Sequence, residues 1–257
     1  MVRTGRISAP IPLTPRTPLV LEVPRYQQPD DVTCGPTCLV QVMRYYGEPV
    51  ALAEVVASVR MNAPDLGGTQ AVYLGIAARQ RGYRATLYPL DFKIFDPTWA
   101  DLDPVSLATR VRARAAATAD PARAVETRAW AEFLDLGGRI EFVDLSVDLL
   151  RTILHRGRPI LSGLSATALY RQIRERPADN EDDDIHGEPV GHFVVVCGHS
   201  PQTRRFAVCD PSPHAPFSRT GRYSVDARRL LNAVLLGVAT RDAVLLEMWP
   251  QRREPHP

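Results

Sequence analysis

Helical spacing fills the first half of this chain and strand spacing the second, and that order confines the fold more than any other feature. Leu39, Val42, Met43 and Tyr46 follow the i, i+3, i+4, i+7 rule, which predicts a helix over 34–46 ended by Gly47. Leu52, Val55, Val56 and Val59 repeat the spacing. Thr69 reads as the cap of a third helix over 70–80, ended by Gly82, and 83–90 reads as a strand. Ala and Arg dominate 108–131, with Pro97, Pro104 and Pro121 as breaks, so two helices with a solvated Arg face are expected. Strands follow at 140–143 and 159–164, with a helix between them capped by Ser146 and closed by Gly157. A short helix at 166–175, a polar loop at 177–190, strands at 193–197 and 205–210, a helix at 225–236 and a strand at 243–248 complete the reading. Helices first and strands later predict an α+β chain, a helical lobe packed on an antiparallel sheet.

A chain of 257 residues, 45% hydrophobic and 23% charged, buries a core and is neither disordered nor fibrous. Residues 1–24 carry prolines at 10, 12, 15, 18 and 24 and read as an extended arm, lacking the apolar core of a secretory signal. The remaining 25–257 are expected to form a single domain with a helical insertion at about 91–139. Net charge is 31 − 29 = +2, too small for a protein held on nucleic acid mainly by its field. No apolar run approaches the ~18 residues of a membrane span. Four cysteines without an export signal point to a reduced, cytoplasmic chain. They lack the paired spacing of zinc ligands, so no metal or cofactor is expected.

The chemistry concentrates around Cys34-Gly-Pro-Thr-Cys38. Gly35 and Pro36 ahead of an apolar-periodic run mark a helix start. That places Cys34 at the positive end of a helix, where the dipole and free N–H groups favour thiolate over thiol. Cys38, one turn further in, reads as a core residue. Of six histidines, His192 alone opens an apolar strand, Gly191-His192-Phe-Val-Val-Val. The following strand ends at Asp210-Pro211. If the two strands pair as a hairpin, Asp210 reaches His192 and orients it, completing a Cys-His-Asp triad. A structural histidine and a capping Asp-Pro turn fit the same spacing. His199 and His214 lack such context and read as surface or turn residues. Asp182, Asp183, Asp184 and Glu188 form an acidic loop that either binds a metal, steers a basic substrate or is simply solvated.

Gln28, six residues before Cys34-Gly-Pro-Thr-Cys-Leu, followed by Gly191-His192-Phe-Val-Val-Val and Asp210-Pro211, resembles the papain-like cysteine peptidases of family 39. These are the double-glycine leader peptidases that process bacteriocins, together with their stand-alone bacterial relatives. The resemblance covers roughly 24–90 and 140–215. It implies a papain-like fold with the site between helical lobe and sheet. It also implies Cys34 as nucleophile, His192 as general base and acid, Asp210 as its orienter and Gln28 as an oxyanion donor. Gln27 competes with Gln28, and the spacing alone separates them.

There is no transporter span or nucleotide-binding loop here, so the stand-alone form is the better match. Some such relatives accompany peptide-ligating ATP-grasp enzymes. The implied activity is a peptidase acting through a thioester on a peptide or peptide-like substrate. An acyl or peptidyl transferase using the same triad is the alternative. A peptide-binding module without catalysis is the third class.

Overall fold

The computed structural model describes residues 17–62 and 67–251. Most of the expected N-terminal arm, residues 1–16, lies outside them. Its end is drawn into the sheet: β1 (Leu19–Val20) pairs antiparallel with β5 (Gly191–Ser200) through Leu19–His199 and Val20–Gly198. The helices α1 (Cys34–Tyr45), α2 (Leu52–Ser58) and α3 (Ala71–Gln80) come next, followed by β2 (Tyr83–Pro89). A helical hairpin, α4 (Pro104–Ala116) and α5 (Pro121–Asp135), leads into β3 (Arg139–Ile140) and α6 (Val147–His155). After β4 (Ile160–Ser165) and α7 (Ala166–Tyr170) come β5, β6 (Arg205–Cys209), β7 (Arg222–Asp226), α8 (Ala227–Leu236) and β8 (Val244–Pro250).

Local chemistry sets many of these boundaries. Asp103, Asp120 and Asp226 each accept backbone N–H bonds at the start of α4, α5 and α8, and α4 and α5 carry Pro in the first turn. Ser146 caps α6 through Leu149 N–H at 3.1 Å. Thr69 does not cap α3; its hydroxyl bonds Arg60 O at 2.7 Å, and Gln70 takes the cap position without a side-chain bond. The helix after β4 stops at Tyr170 rather than 175, because Arg171 turns left-handed (φ 57°).

The strands form one mixed sheet in the order β3-β2-β8-β4-β5-β6-β7, with β1 added beside β5. Every pairing is antiparallel except β2–β3, which is parallel. The α+β expectation holds, with α1 packed on β5 and α3 on β2 and β8. The apolar core runs continuously from α1 through the sheet to α8. The polar loop at 177–190 is organised: Glu175 bridges to both Asp182 and Glu188, and Asp183 accepts from Ile185 and His186 N–H. His199 is buried rather than exposed, its ring tilted against Phe206 with 4.6 Å between centroids.

Gly198 is the position where β1 approaches most closely. A Cβ there would lie 2.5 Å from Leu19 O, so β1 would have to shift. Gly198→Ala should therefore destabilise the protein by about 1–3 kcal/mol. The check is the urea midpoint, together with faster amide exchange at Leu21, whose N–H bonds Cys197 O at 2.7 Å. An unchanged midpoint and unchanged exchange would contradict the close approach.

Candidate active site

Cys34 is the first residue of α1, and the helix is seated by Gly35. A Cβ on Gly35 would meet Thr69 Cγ2 at 2.7 Å and the Phe193 ring at 3.2 Å, so a side chain there would force α1 away from β5. This packing brings the start of α1 against the start of β5, where His192 is the second residue. His192 lies within electrostatic reach of the Cys34 sulfur. Both are buried, at 7% and 8% exposure. Cys38, fully buried one turn on, donates to Phe193 O at 3.2 Å. Gln41 links it to β6, with Nε2 3.8 Å from Cys38 Sγ and Oε1 accepting from Cys209 Sγ at 2.7 Å. Cys38 thus lies in a buried polar chain tying α1 to the sheet.

His192 Nε2 lies 3.0 Å from Asp210 Oδ1. The juxtaposition follows from register: β5 and β6 pair antiparallel with Val195 opposite Cys209, so the residue after β6 falls beside the beginning of β5. With Nε2 engaged by Asp210, Nδ1 is the ring nitrogen left for Cys34.

Asp210 is completely buried and its two oxygens are saturated. Oδ1 also accepts Ser212 N–H at 2.9 Å, and Oδ2 accepts the hydroxyls of Tyr170 and Tyr223, each at 2.6 Å. Phe217 packs edge-on against both tyrosine rings, and Tyr170 lies 6.0 Å from the His192 ring. Burial works against charge on both members of the pair, but their mutual attraction prevails. His192 is pushed up to about 10 by the Asp210 charge and hydrogen bond and by Cys34. Asp210 is held below its usual range by the His192 charge and by hydrogen bonds from His192 and the two tyrosines. At neutral pH this is an imidazolium–carboxylate pair.

Gln28 is positioned by the strand ends. Its N–H bonds Pro211 O at 3.0 Å, and Arg25 Nε bonds Asp210 O at 3.3 Å, so 25–28 run beside 210–212. Gln28 is buried, its Nε2 donates to Asp30 O at 2.8 Å, and its Oε1 has no hydrogen-bond partner. Gln27 is exposed and accepts from Arg25.

The structure therefore gathers Cys34, His192 and Asp210 and sets Gln28 alongside the last of them. Sequence reasoning passed over Tyr170, Tyr223 and Arg25. It also passed over Asp242, a buried carboxylate within electrostatic reach of His192. A buried tyrosine hydroxyl needs an acceptor, the one general signal that pointed to the tyrosines. Among the described residues no group of three or more His, Cys, Asp or Glu side chains could hold a metal, and no helix is long and apolar enough to cross a membrane.

No family model matches the chain, and no curated protein does. Similar solved structures include a double-glycine-motif protease from an AMS/PCAT transporter, in complex with the leader peptide. It shares 15% identity over 91% of this chain and 98% of that one, with a TM-score of 0.43. Xylellain, a cysteine protease from Xylella fastidiosa, is 15% identical over 94% and 88%, with a TM-score of 0.45. The peptidase domain of Streptococcus ComA, a bi-functional ABC transporter involved in a quorum-sensing pathway, is 14% identical over 90% and 100%, with a TM-score of 0.43.

Proposed function

We propose that the chain is a papain-like cysteine peptidase of family 39 that cleaves amide bonds in a peptide or peptide-like substrate. One observation carries this reading: a single buried imidazole is bound to the carboxylate of Asp210 and lies within electrostatic reach of Cys34 at the start of α1. An imidazolium near a sulfur at a helix start favours the nucleophilic anion.

In the proposed reaction the Cys34 sulfur attacks the scissile carbonyl carbon and the carbonyl electrons move onto oxygen. His192 passes its proton to the leaving amine as the C–N bond breaks, giving a thioester on Cys34. His192, now neutral, takes a proton from water, which attacks the thioester and releases the acid. Asp210 keeps Nε2 protonated and leaves Nδ1 to exchange the proton. The oxyanion would be received by the free backbone N–H of Cys34 at the helix start and by the second N–H of Gln28 Nε2. A cytoplasmic location and a peptide-ligating ATP-grasp partner belong to the same proposal and are tested by fractionation and co-purification.

The experiment is a peptide-library digest read by mass spectrometry, beside Cys34→Ala. New termini with the native protein and none with the variant are expected. An intact library despite a reactive Cys34 would favour acyl transfer to a bound acceptor. Gln28→Ala should lower turnover by about 10²–10³ while Cys34 remains alkylatable. The same loss from Gln27→Ala instead would assign the oxyanion role to Gln27.

A further inference from the structure

A groove of about 680 Å³ opens between the end of α7, the strands β6 and β7, and α8. Arg171, Arg205, Arg228 and Arg229 line it, with Phe217 and Leu236 between them. Its one lining acid is Asp226, whose Oδ1 is already taken by the N–H groups of Arg228 and Arg229 at 2.9 and 3.3 Å. Arg205 bonds Ser224 Oγ at 2.8 Å, and Arg229 lies over the Phe217 ring at 5.6 Å. The side chains of Arg171 and Arg228 have no partner among the described residues. Elsewhere acids neutralise exposed guanidiniums, as Glu132 does Arg60, Asp135 does Arg112 and Asp179 does Arg176. Two large apolar side chains also stand open in the groove, Phe217 at 38% and Leu236 at 56% exposure.

We propose that this groove binds an acidic segment of the peptide substrate, a reading that rests on the peptidase assignment of Cys34. Charge sets the class of occupant. Four guanidiniums against one engaged acid attract carboxylates, and the guanidinium fork matches a carboxylate in geometry. Phe217 and Leu236 offer contact to apolar side chains beside those acids, and aromatic residues with arginine are the usual anchors of interfaces. Sites of about 300–1,000 Å³ enclose small ligands, so the groove takes a short stretch of side chains rather than a folded domain.

The groove is backed by the residues that hold the triad. Phe217 packs 5.8 Å from Tyr170, which donates to Asp210 and lies 6.0 Å from the His192 ring. An extended peptide advances about 3.3 Å per residue, so an acidic segment about four to six residues from the scissile bond spans from Cys34 to the groove. Such a tether raises the local concentration of that bond without touching the chemistry.

Fluorescence anisotropy tests the groove without a known substrate. Three labelled decapeptides of Leu and Ser carry four Glu, four Gln or four Lys, and a labelled single-stranded RNA of ten nucleotides is run beside them. The Glu peptide should bind the native protein at least about tenfold more tightly than the Gln peptide, and high salt should erase the difference. Arg171→Asn, Arg228→Gln and Arg229→Gln remove three charges worth about twofold each against exposed carboxylates, so together they should close most of that gap. Asn suits residue 171 because its φ is 57°. Arg84→Gln, Arg110→Gln and Arg128→Gln remove three exposed charges elsewhere and should change nothing. In the library digest, cleaved peptides should carry Asp or Glu about four to six residues from the cut, and the groove variant should raise KM with kcat unchanged. Equal binding of the Glu and Gln peptides, or equal losses from the groove and control variants, overturns the proposal. Groove-dependent binding of the RNA tighter than that of the Glu peptide overturns it too. A charge-selective groove on a protein whose Cys34 neither alkylates nor cleaves would keep the acidic-peptide site and overturn the peptidase reading instead.

Discussion

Iodoacetamide at mildly acidic pH should alkylate Cys34 at least about 10²-fold faster than any other cysteine of the folded protein. All four thiols are free and buried, so exposure alone does not separate them. Their surroundings do. Burial pushes Cys38 well above its ordinary value, Cys197 up to about 12 and Cys209 up to about 11. Near neutral pH such thiols carry at most about one anion in 10⁴. Cys34 instead lies at the start of α1 within electrostatic reach of His192, which is pushed up to about 10. His192→Ala removes that cation and should slow labelling markedly, with Cys38 still silent. Mass spectrometry of the digested protein reads the outcome. Equal labelling of all four in the native state would make Cys34 an ordinary thiol and favour a binding module. In denaturant the four should react alike, which controls for reagent access.

The parts of the site legible in the sequence are those with a local signature. Cys34 sits at a Gly-Pro helix start, His192 at the head of an apolar strand and Asp210 at the tail of the next, and a hairpin brings strand head and tail together. What supports them is not local. Tyr170 and Tyr223 reach Asp210 across 40 and 13 residues, and Arg25 reaches its carbonyl across 185. Asp242 next to Gly191 is equally a product of tertiary packing. The fold divides along the same line. Long apolar-periodic helices and strands are readable, whereas β1 and β3 have two residues each, too short for any period to register. β7, Arg-Tyr-Ser-Val-Asp, alternates but has one fully buried position, Val225, so its apolar signal is weak. The sequence reads there as the start of a helix over 225–236, whereas in the structure Asp226 ends β7 and caps α8.

Asp210 should prove the most sensitive position after Cys34, and two substitutions separate its roles. Asp210→Ala leaves His192, Ser212 N–H and the hydroxyls of Tyr170 and Tyr223 without their common acceptor. Stranding an imidazolium and two buried hydroxyls should cost about 3–5 kcal/mol of stability. Asp210→Asn preserves shape but not charge, so the fold should survive while turnover falls by about 10⁴ as the imidazole loses its tautomer.

The pH dependence follows from the two shifts. His192 is raised, so its contribution is complete below about pH 6.5, the unfolded value, and fades as pH climbs to about 10. Asp210 is lowered, so its contribution is present above about pH 4 and fades as pH falls through its folded value. The stability gap between the native protein and Asp210→Asn should therefore be widest near pH 5–6 and narrow steadily on the alkaline side. Thermal melts of both proteins from acid to alkali measure it. A gap that stays constant with pH would mean that Asp210 acts as a neutral hydrogen-bond acceptor, and the charged pair would lose its place in the mechanism.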